Sequence, residues 1–143
     1  MAKPDPRLLD PALYPHACEI PTRYADLDPN GHINNVAQAA IVEDARVRFH
    51  VASGFADAMA PGGQVMLASL TIDYLAQCHY PAPITVHTGV VAPGKHSLRL
   101  RHLLMQNGRP AGLAESVAVY VVDGRAAALP DALLTGLAPL MCR

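Results

Sequence analysis

The stretch Arg23-Tyr24-Ala25-Asp26-Leu27-Asp28-Pro29-Asn30-Gly31-His32-Ile33-Asn34-Asn35 joins an alternating apolar segment to a helical one and gathers polar side chains at the junction. The start of a helix exposes backbone N–H groups without intrahelical partners and carries partial positive charge, which attracts a developing oxyanion. Asp28 sets a carboxylate a few residues away from that start. A carboxylate beside electron-poor amides suits attack on an activated carbonyl. The same residue types also have a plainer use, in which Asp28, Asn30 or Asn34 caps the helix or makes the turn that leads into it.

Working outward, a Pro-containing leader runs through Pro15, and residues 17–25 alternate as a strand that Pro21 confines to an edge or a bulge. Downstream, Val36, Ala40, Val47 and Val51 lie along one helical stripe with Ala37, Ile41 and Ala45 beside it, while Arg46 and Arg48 face elsewhere. Glu43 falls on that stripe, so the spacing predicts a core-facing carboxylate with a raised pKa. Ser53-Gly54 is a stop signal. From Gln64 the period becomes two, and Val65 to Ala76, Ile84 to Val91, His96 to Met105 and Leu113 to Val122 read as strands. Pro81-Ala82-Pro83, Pro93-Gly94, Asn107-Gly108 and Asp123-Gly124 mark turns, and Asn107-Gly108 is a two-residue hairpin signal. A short helix is expected over about Pro130 to Leu137. One strand, one long helix and four consecutive strands make an α+β plan, a five-stranded antiparallel sheet wrapped around the helix. Such a sheet leaves an open edge, which predicts pairing with another copy.

Composition narrows the function classes. A chain of 143 residues is expected to be a single domain, residues 1–143, burying roughly 68–70% of its unfolded surface. Net charge is −1, from 11 Lys+Arg against 12 Asp+Glu with no basic block, so the footprint of nucleic-acid or anionic-membrane binding is missing. Pro61-Gly62-Gly63 and Gln64 interrupt the uncharged run from Ala58 to Ile72, which therefore does not read as a membrane span. The first residues lack the apolar core of a secretory signal, and a cytoplasmic location is the expectation. Cys18, Cys78 and Cys142 are odd in number and irregularly spaced, which fits a reducing compartment better than a disulfide framework or a zinc site. The seven histidines show no compact ligand spacing, and no metal is expected. No Gly-rich phosphate loop follows a strand, and no Gly-x-Ser-x-Gly elbow is present.

The run Asp28-Pro29-Asn30-Gly31-His32-Ile33-Asn34-Asn35, followed by Glu43-Asp44-Ala45-Arg46, resembles the signature of hotdog-fold acyl thioesterases. It is similar to the first strand and central helix of the 4-hydroxybenzoyl-CoA thioesterase-like family. Its Asp-x-Asn-x-His core also resembles the plant acyl-ACP thioesterases. The resemblance covers nearly the whole chain, and Leu70-Thr71-Ile72-Asp73-Tyr74 and Gly94-Lys95-His96-Ser97 support it downstream.

The resemblance implies a cofactor-free hydrolase acting on an acyl-CoA or acyl carrier protein thioester. Asp28 matches the family's catalytic carboxylate, acting by direct attack or as general base for water. Asn35 matches the position whose backbone N–H polarises the thioester carbonyl. Asn30 and His32 match the Asn and His of the acyl-ACP motif, which orient water and tune the carboxylate. Another hotdog branch uses a helix Glu, which makes Glu43 the alternative catalyst against a structural pairing with Arg46. Lys95, Arg99 and Arg101, in or after the turn before the fourth strand, are candidates for the phosphates of CoA or the acidic surface of a carrier protein. Arg99 and Arg101 share a strand face. Relatives form a homodimer, or a dimer of dimers, with the site at the two-fold interface. Relatives also carry an aromatic soon after the Asn-Asn pair, whereas Val36-Ala37-Gln38-Ala39-Ala40 is small here. That departure predicts either a roomier acyl pocket or altered interface packing. A hotdog dehydratase or lyase and a catalytically silent acyl-binding subunit are the alternative functions.

Overall fold

A computed structural model describes residues 3–143. The elements are β1 (His16–Ile20), α1 (Asn35–Ala52), α2 (Phe55–Ala58), β2 (Gly63–Tyr74), β3 (Ile84–Pro93), β4 (Ser97–Gln106), β5 (Arg109–Val122), β6 (Arg125–Ala126) and α3 (Asp131–Thr135). The sheet is antiparallel in the order β1-β3-β4-β5-β2, with the two-residue β6 paired to β5. This is the hotdog plan, a curled sheet holding one long helix. The sixth strand was not expected from the sequence. It follows from Asp123 and Gly124, whose φ of 50° and 81° turn the chain straight back onto β5. Asn107 and Gly108 do the same between β4 and β5, with φ of 52° and 73°.

The chain before α1 differs from the sequence expectation for local reasons. β1 stops at Ile20 because Pro21 has no N–H to donate to the ladder. Residues 24–26 instead make a turn of 3-10 helix. The leader folds too: short 3-10 turns at Pro6–Leu9 and Pro11–Leu13, each started by an Asp side chain accepting a backbone N–H, lay Leu8, Leu9, Leu13 and Tyr14 over the outer sheet face beside Leu103 and Leu113.

The helix corrects the predicted stripe. Val36, Val47 and Val51 are 81%, 49% and 64% exposed, and Glu43 lies on that outer face. The inward face is Ala37, Gln38, Ile41, Val42, Ala45, Arg46, Phe49 and His50. Apolar residues occur on both sides of α1, so periodicity alone selected the wrong one, and the buried Arg46 disguised the true core face. Its first half packs on Ile84, Val86, Leu104 and Ala114. Its second half, with α2 and α3, packs Phe49 and Phe55 against Leu98, Leu100 and Leu133. Each such buried side chain contributes about 1.5–3 kcal/mol.

A polar seam crosses this core. His102 bonds Thr88 Oγ1 through Nδ1 (3.0 Å) and Ser116 Oγ through Nε2 (2.9 Å), so three adjacent strands are joined beneath α1. Arg46 reaches His50 Nε2 at 3.4 Å and pairs with Glu43 at the surface. Burial, aided by the Arg46 charge, pushes His102 down to about 3 and His50 down to about 4. Among the described residues no helix is long and apolar enough to cross a membrane.

Candidate active site

Leu27 and Ile33 face each other across an isolated antiparallel bridge, which makes residues 28–32 a tight loop. Asp28 N donates to His32 O (2.8 Å) and Gly31 N to Asp28 O (3.0 Å), with Gly31 at φ 77°, a conformation that suits glycine. Inside the loop, Asp28 Oδ1 accepts from the amides of Asn30 (2.9 Å) and His32 (3.0 Å). Its Oδ2 accepts no hydrogen bond among the described residues. Two amides therefore fix the carboxylate's orientation through one oxygen and leave the other available for chemistry.

The helix start is set by Asn34, whose Oδ1 accepts from Ala37 N at 2.7 Å. That cap satisfies the third amide of α1 and leaves those of Asn35 and Val36 without a partner among the described residues. Turn-making by Asp28 and capping by Asn34, the plainer uses of these residue types, are thus both present, and they build the surroundings of the free oxygen and free amides.

Asp28, Asn30, His32 and Asn35 line one cleft of about 330 Å³ together with Ile33, Gln38 and Tyr74 to Gln77. Asp28 and Asn35 also border a second space of about 490 Å³ that runs along Val36, Ala37 and Ala40. Asp26 lines that space as well, but Arg23 occupies it: the Arg23 amide and guanidinium bond both carboxylate oxygens, and the guanidinium hydrogen bond holds Asp26 below the usual carboxylate range. Of the two nearby carboxylates, Asp28 alone has an oxygen with no partner.

The other sequence candidates are dispersed. Glu43 is half exposed and bound to Arg46. It lies off the Asp28 clefts, so the core-facing carboxylate expected from the stripe is absent. Arg101 is paired with Glu115 on the neighbouring strand at 2.9 Å. Arg99 is exposed, and Lys95 is exposed in the turn that opens β4. β4 runs from that turn toward the end holding Tyr74 to Gln77, so Lys95 stands roughly 30 Å along the strand from the Asp28 cleft.

Two residues that sequence reading passed over, Gln38 and His79, lie beside these candidates. Gln38 is buried one turn into α1, its Nε2 donating to Ile33 O (3.3 Å) and its Oε1 unpartnered among the described residues. Only the correct helix face would have pointed to it. His79 packs edge-on against His32, with ring centroids 5.3 Å apart. It lies in a loop, where no periodicity marks it. Among the described residues, no group of three His, Cys, Asp or Glu is gathered to hold a metal ion.

A family model of the thioesterase-like superfamily matches residues 22–137, from just before the Asp28 loop to just past α3. The chain belongs to that superfamily and is a hotdog-fold acyl thioesterase, a thioester hydrolase by class. A protein of Pseudomonas aeruginosa superposes with a TM-score of 0.81 at 29% identity, covering 92% of this chain and 94% of its own. A thioesterase from Thermus thermophilus, solved with coenzyme A and zinc, gives 0.77 at 30% identity over 91% of this chain and 96% of its own. A predicted thioesterase from Bacillus stearothermophilus gives 0.78 at 26% identity over 87% and 95%. No curated protein matches the chain.

Proposed function

We propose that the protein hydrolyses an acyl thioester of CoA or of an acyl carrier protein, with Asp28 as nucleophile or general base and the helix-start amides as the oxyanion site. The observation that carries the reading is the shared cleft: Asp28, with one oxygen free, and Asn35, with its amide free, border the same space. In the general-base route, Asp28 Oδ2 takes a proton from water as the water oxygen bonds to the thioester carbon. The carbonyl π electrons move onto oxygen, where the Asn35 and Val36 amides stabilise the charge. Collapse re-forms the carbonyl and breaks the C–S bond, and the proton on Asp28 passes to sulfur. In the nucleophilic route Oδ2 bonds to carbon directly, thiolate leaves, and water then cleaves the mixed anhydride. Asn30 and His32 orient the water in either route.

The acyl group is assigned to the space along Val36, Ala37 and Ala40, whose small side chains favour a roomy pocket. The working unit is a homodimer, or a dimer of dimers. Support comes from the exposed apolar face of α1 and from edge strand β2, where Met66 and Leu67 are 53% and 41% exposed. Lys95 and Arg99 remain candidates for the thioester's handle approaching from a partner subunit, with Arg101 held by Glu115.

The test is thiol release from aromatic, short and long acyl-CoAs by wild type and Asp28→Asn. The amide keeps an oxygen for the Asn30 and His32 N–H groups, so the fold and oligomer are expected to survive while turnover falls by at least about a hundredfold, on the order seen when a group acting in acid–base catalysis is removed. Undiminished turnover in that variant would end the Asp28 assignment. A preference for only short acyl groups would end the roomy-pocket assignment.

A further inference from the structure

The Asp28 cleft shares its wall with another. Ala76 and Gln77 border the Asp28 cleft on one side and, on the other, a space of about 360 Å³ lined by His79, Asn107, Arg109 and Pro110. This wall is strapped from both directions. Ile33 N donates to Cys78 O (2.8 Å), tying it to the Asp28 loop, while Leu75 N and Ala76 N donate to Ala111 O (2.9 and 3.2 Å), tying it to β5. The buried Gln106 accepts from His79 N and donates to the carbonyls of His79 and Ala82, all at 2.8 Å. The two spaces are therefore held at a fixed separation by backbone and a buried amide.

Their chemistry differs from what lies on the other side of Asp28. There the space follows Val36, Ala37 and Ala40, and the cation that lines it, Arg23, is already bound to Asp26. Beyond Ala76 and Gln77, Arg109 has no ion-pair partner among the described residues and stands at the first position of β5, directly after the Asn107-Gly108 turn. A space bordered by the small side chains of Val36, Ala37 and Ala40, its cation already paired, on one side of Asp28 and a guanidinium without an ion-pair partner among the described residues on the other impose a direction on a molecule with an apolar acyl end and an anionic thiol arm.

We propose that Arg109, which lines this space together with His79, binds a phosphate on the thiol arm of the substrate, which lies over Ala76 and Gln77 while its acyl group lies along Val36 to Ala40. Guanidinium suits this ligand because its planar fork matches phosphate oxygens. The assignment deepens the thioesterase reading and rests on it, since it concerns the same cleft. It adds a specificity residue in the same chain as Asp28, where Lys95 and Arg99 require a partner subunit.

The experiment compares one acyl group carried on CoA, on 4′-phosphopantetheine and on phosphate-free pantetheine, with wild type and Arg109→Gln. A charge-assisted hydrogen bond lost to a phosphate corresponds to about a tenfold effect or more. The expected result is a KM raised about tenfold for the CoA thioester with little change in kcat, and no rise for the pantetheine thioester. Added salt should raise the wild-type KM for CoA more than that of the variant. A penalty that persists on 4′-phosphopantetheine assigns the contact to the phosphate next to pantetheine, and one confined to CoA assigns it to the nucleotide phosphates. An equal KM for both proteins, or an equal rise on pantetheine, overturns the proposal. Calorimetric titration of both proteins with CoA and pantetheine reads the same contact without turnover. If wild type cleaves no thioester yet binds CoA through Arg109, the hydrolytic assignment fails and the phosphate site stands. Equal CoA affinity in the two proteins rejects the site.

Discussion

Asp28 and His102 show how hydrogen bonding leaves one polar side chain with a free acceptor and ties up another completely. Asp28 uses one oxygen to hold its loop and keeps the other free, so the catalytic role proposed for it and its structural duty are separable. His102 spends both ring nitrogens on Thr88 and Ser116 and is fully buried, which removes it from catalysis. Its effect falls on stability instead. His102 and His50 are pushed from 6.5 to about 3 and about 4, whereas in the unfolded chain both protonate near 6.5. The unfolded state therefore binds more protons once pH drops below that value. Stability is fully present above about pH 6.5 and declines toward pH 4, where His50 begins to protonate in the fold, with His102 continuing the loss toward pH 3. Each histidine contributes a slope of up to about 1.4 kcal/mol per pH unit. Urea unfolding at steps from about pH 7.5 to 4.5 should show that slope, and His50→Gln should reduce it by about half. A flat wild-type profile in this window would contradict the buried neutral pair.

At the scale of the element, the first turn of α1 links folding to the proposed oxyanion site through one side chain. Asn34 satisfies the amide of Ala37 and so defines which amides stay free. Asn34→Ala should cost about 1 kcal/mol, a fall of roughly 4 °C in Tm for a chain of this size, and should lower kcat because the frayed turn no longer aims the Asn35 and Val36 amides. Asn34→Asp keeps the accepting oxygen and should restore Tm. Calorimetry with thiol-release kinetics separates the two effects. An alanine variant with wild-type Tm would show that the turn is held by packing rather than by its cap.

At the scale of the molecule, α1 has two apolar faces and the chain's own sheet covers one. The outer face with edge strand β2 is the surface proposed for a second copy. Val47→Lys tests this, since Val47 is half exposed in the single chain and a lysine four residues after Glu43 supports the isolated helix by about 0.2–0.5 kcal/mol. Sedimentation should then show a folded monomer, and activity should fall if the site spans the two-fold axis. A variant that stays dimeric with full activity would move the interface elsewhere.

The period-two segments, the two-residue Asn107-Gly108 turn and the Asp28 to Asn35 run were legible in the sequence because each rests on local rules: pleat alternation, φ preference, and a motif whose residues touch within one loop. The succession of strands along the chain and the long helix followed from those rules, whereas the order β1-β3-β4-β5-β2 within the sheet depends on which edges meet across the closed fold. The inward face of α1 did not, because Val36, Val47 and Val51 are as apolar as the true core residues and only docking on β3, β4 and β5 distinguishes them. The pairing of Arg101 with Glu115, the burial of Arg46 and the strap that sets Arg109 behind the Asp28 cleft join residues up to 80 or so positions apart, roughly the separation of Asp28 and Arg109 along the chain. Sequence by itself determined the fold class and the polar loop from Asp28 to Asn35, since neighbouring residues carry them. Tertiary structure alone decided which charges are free and which helix face is open, because both depend on what the closing sheet covers.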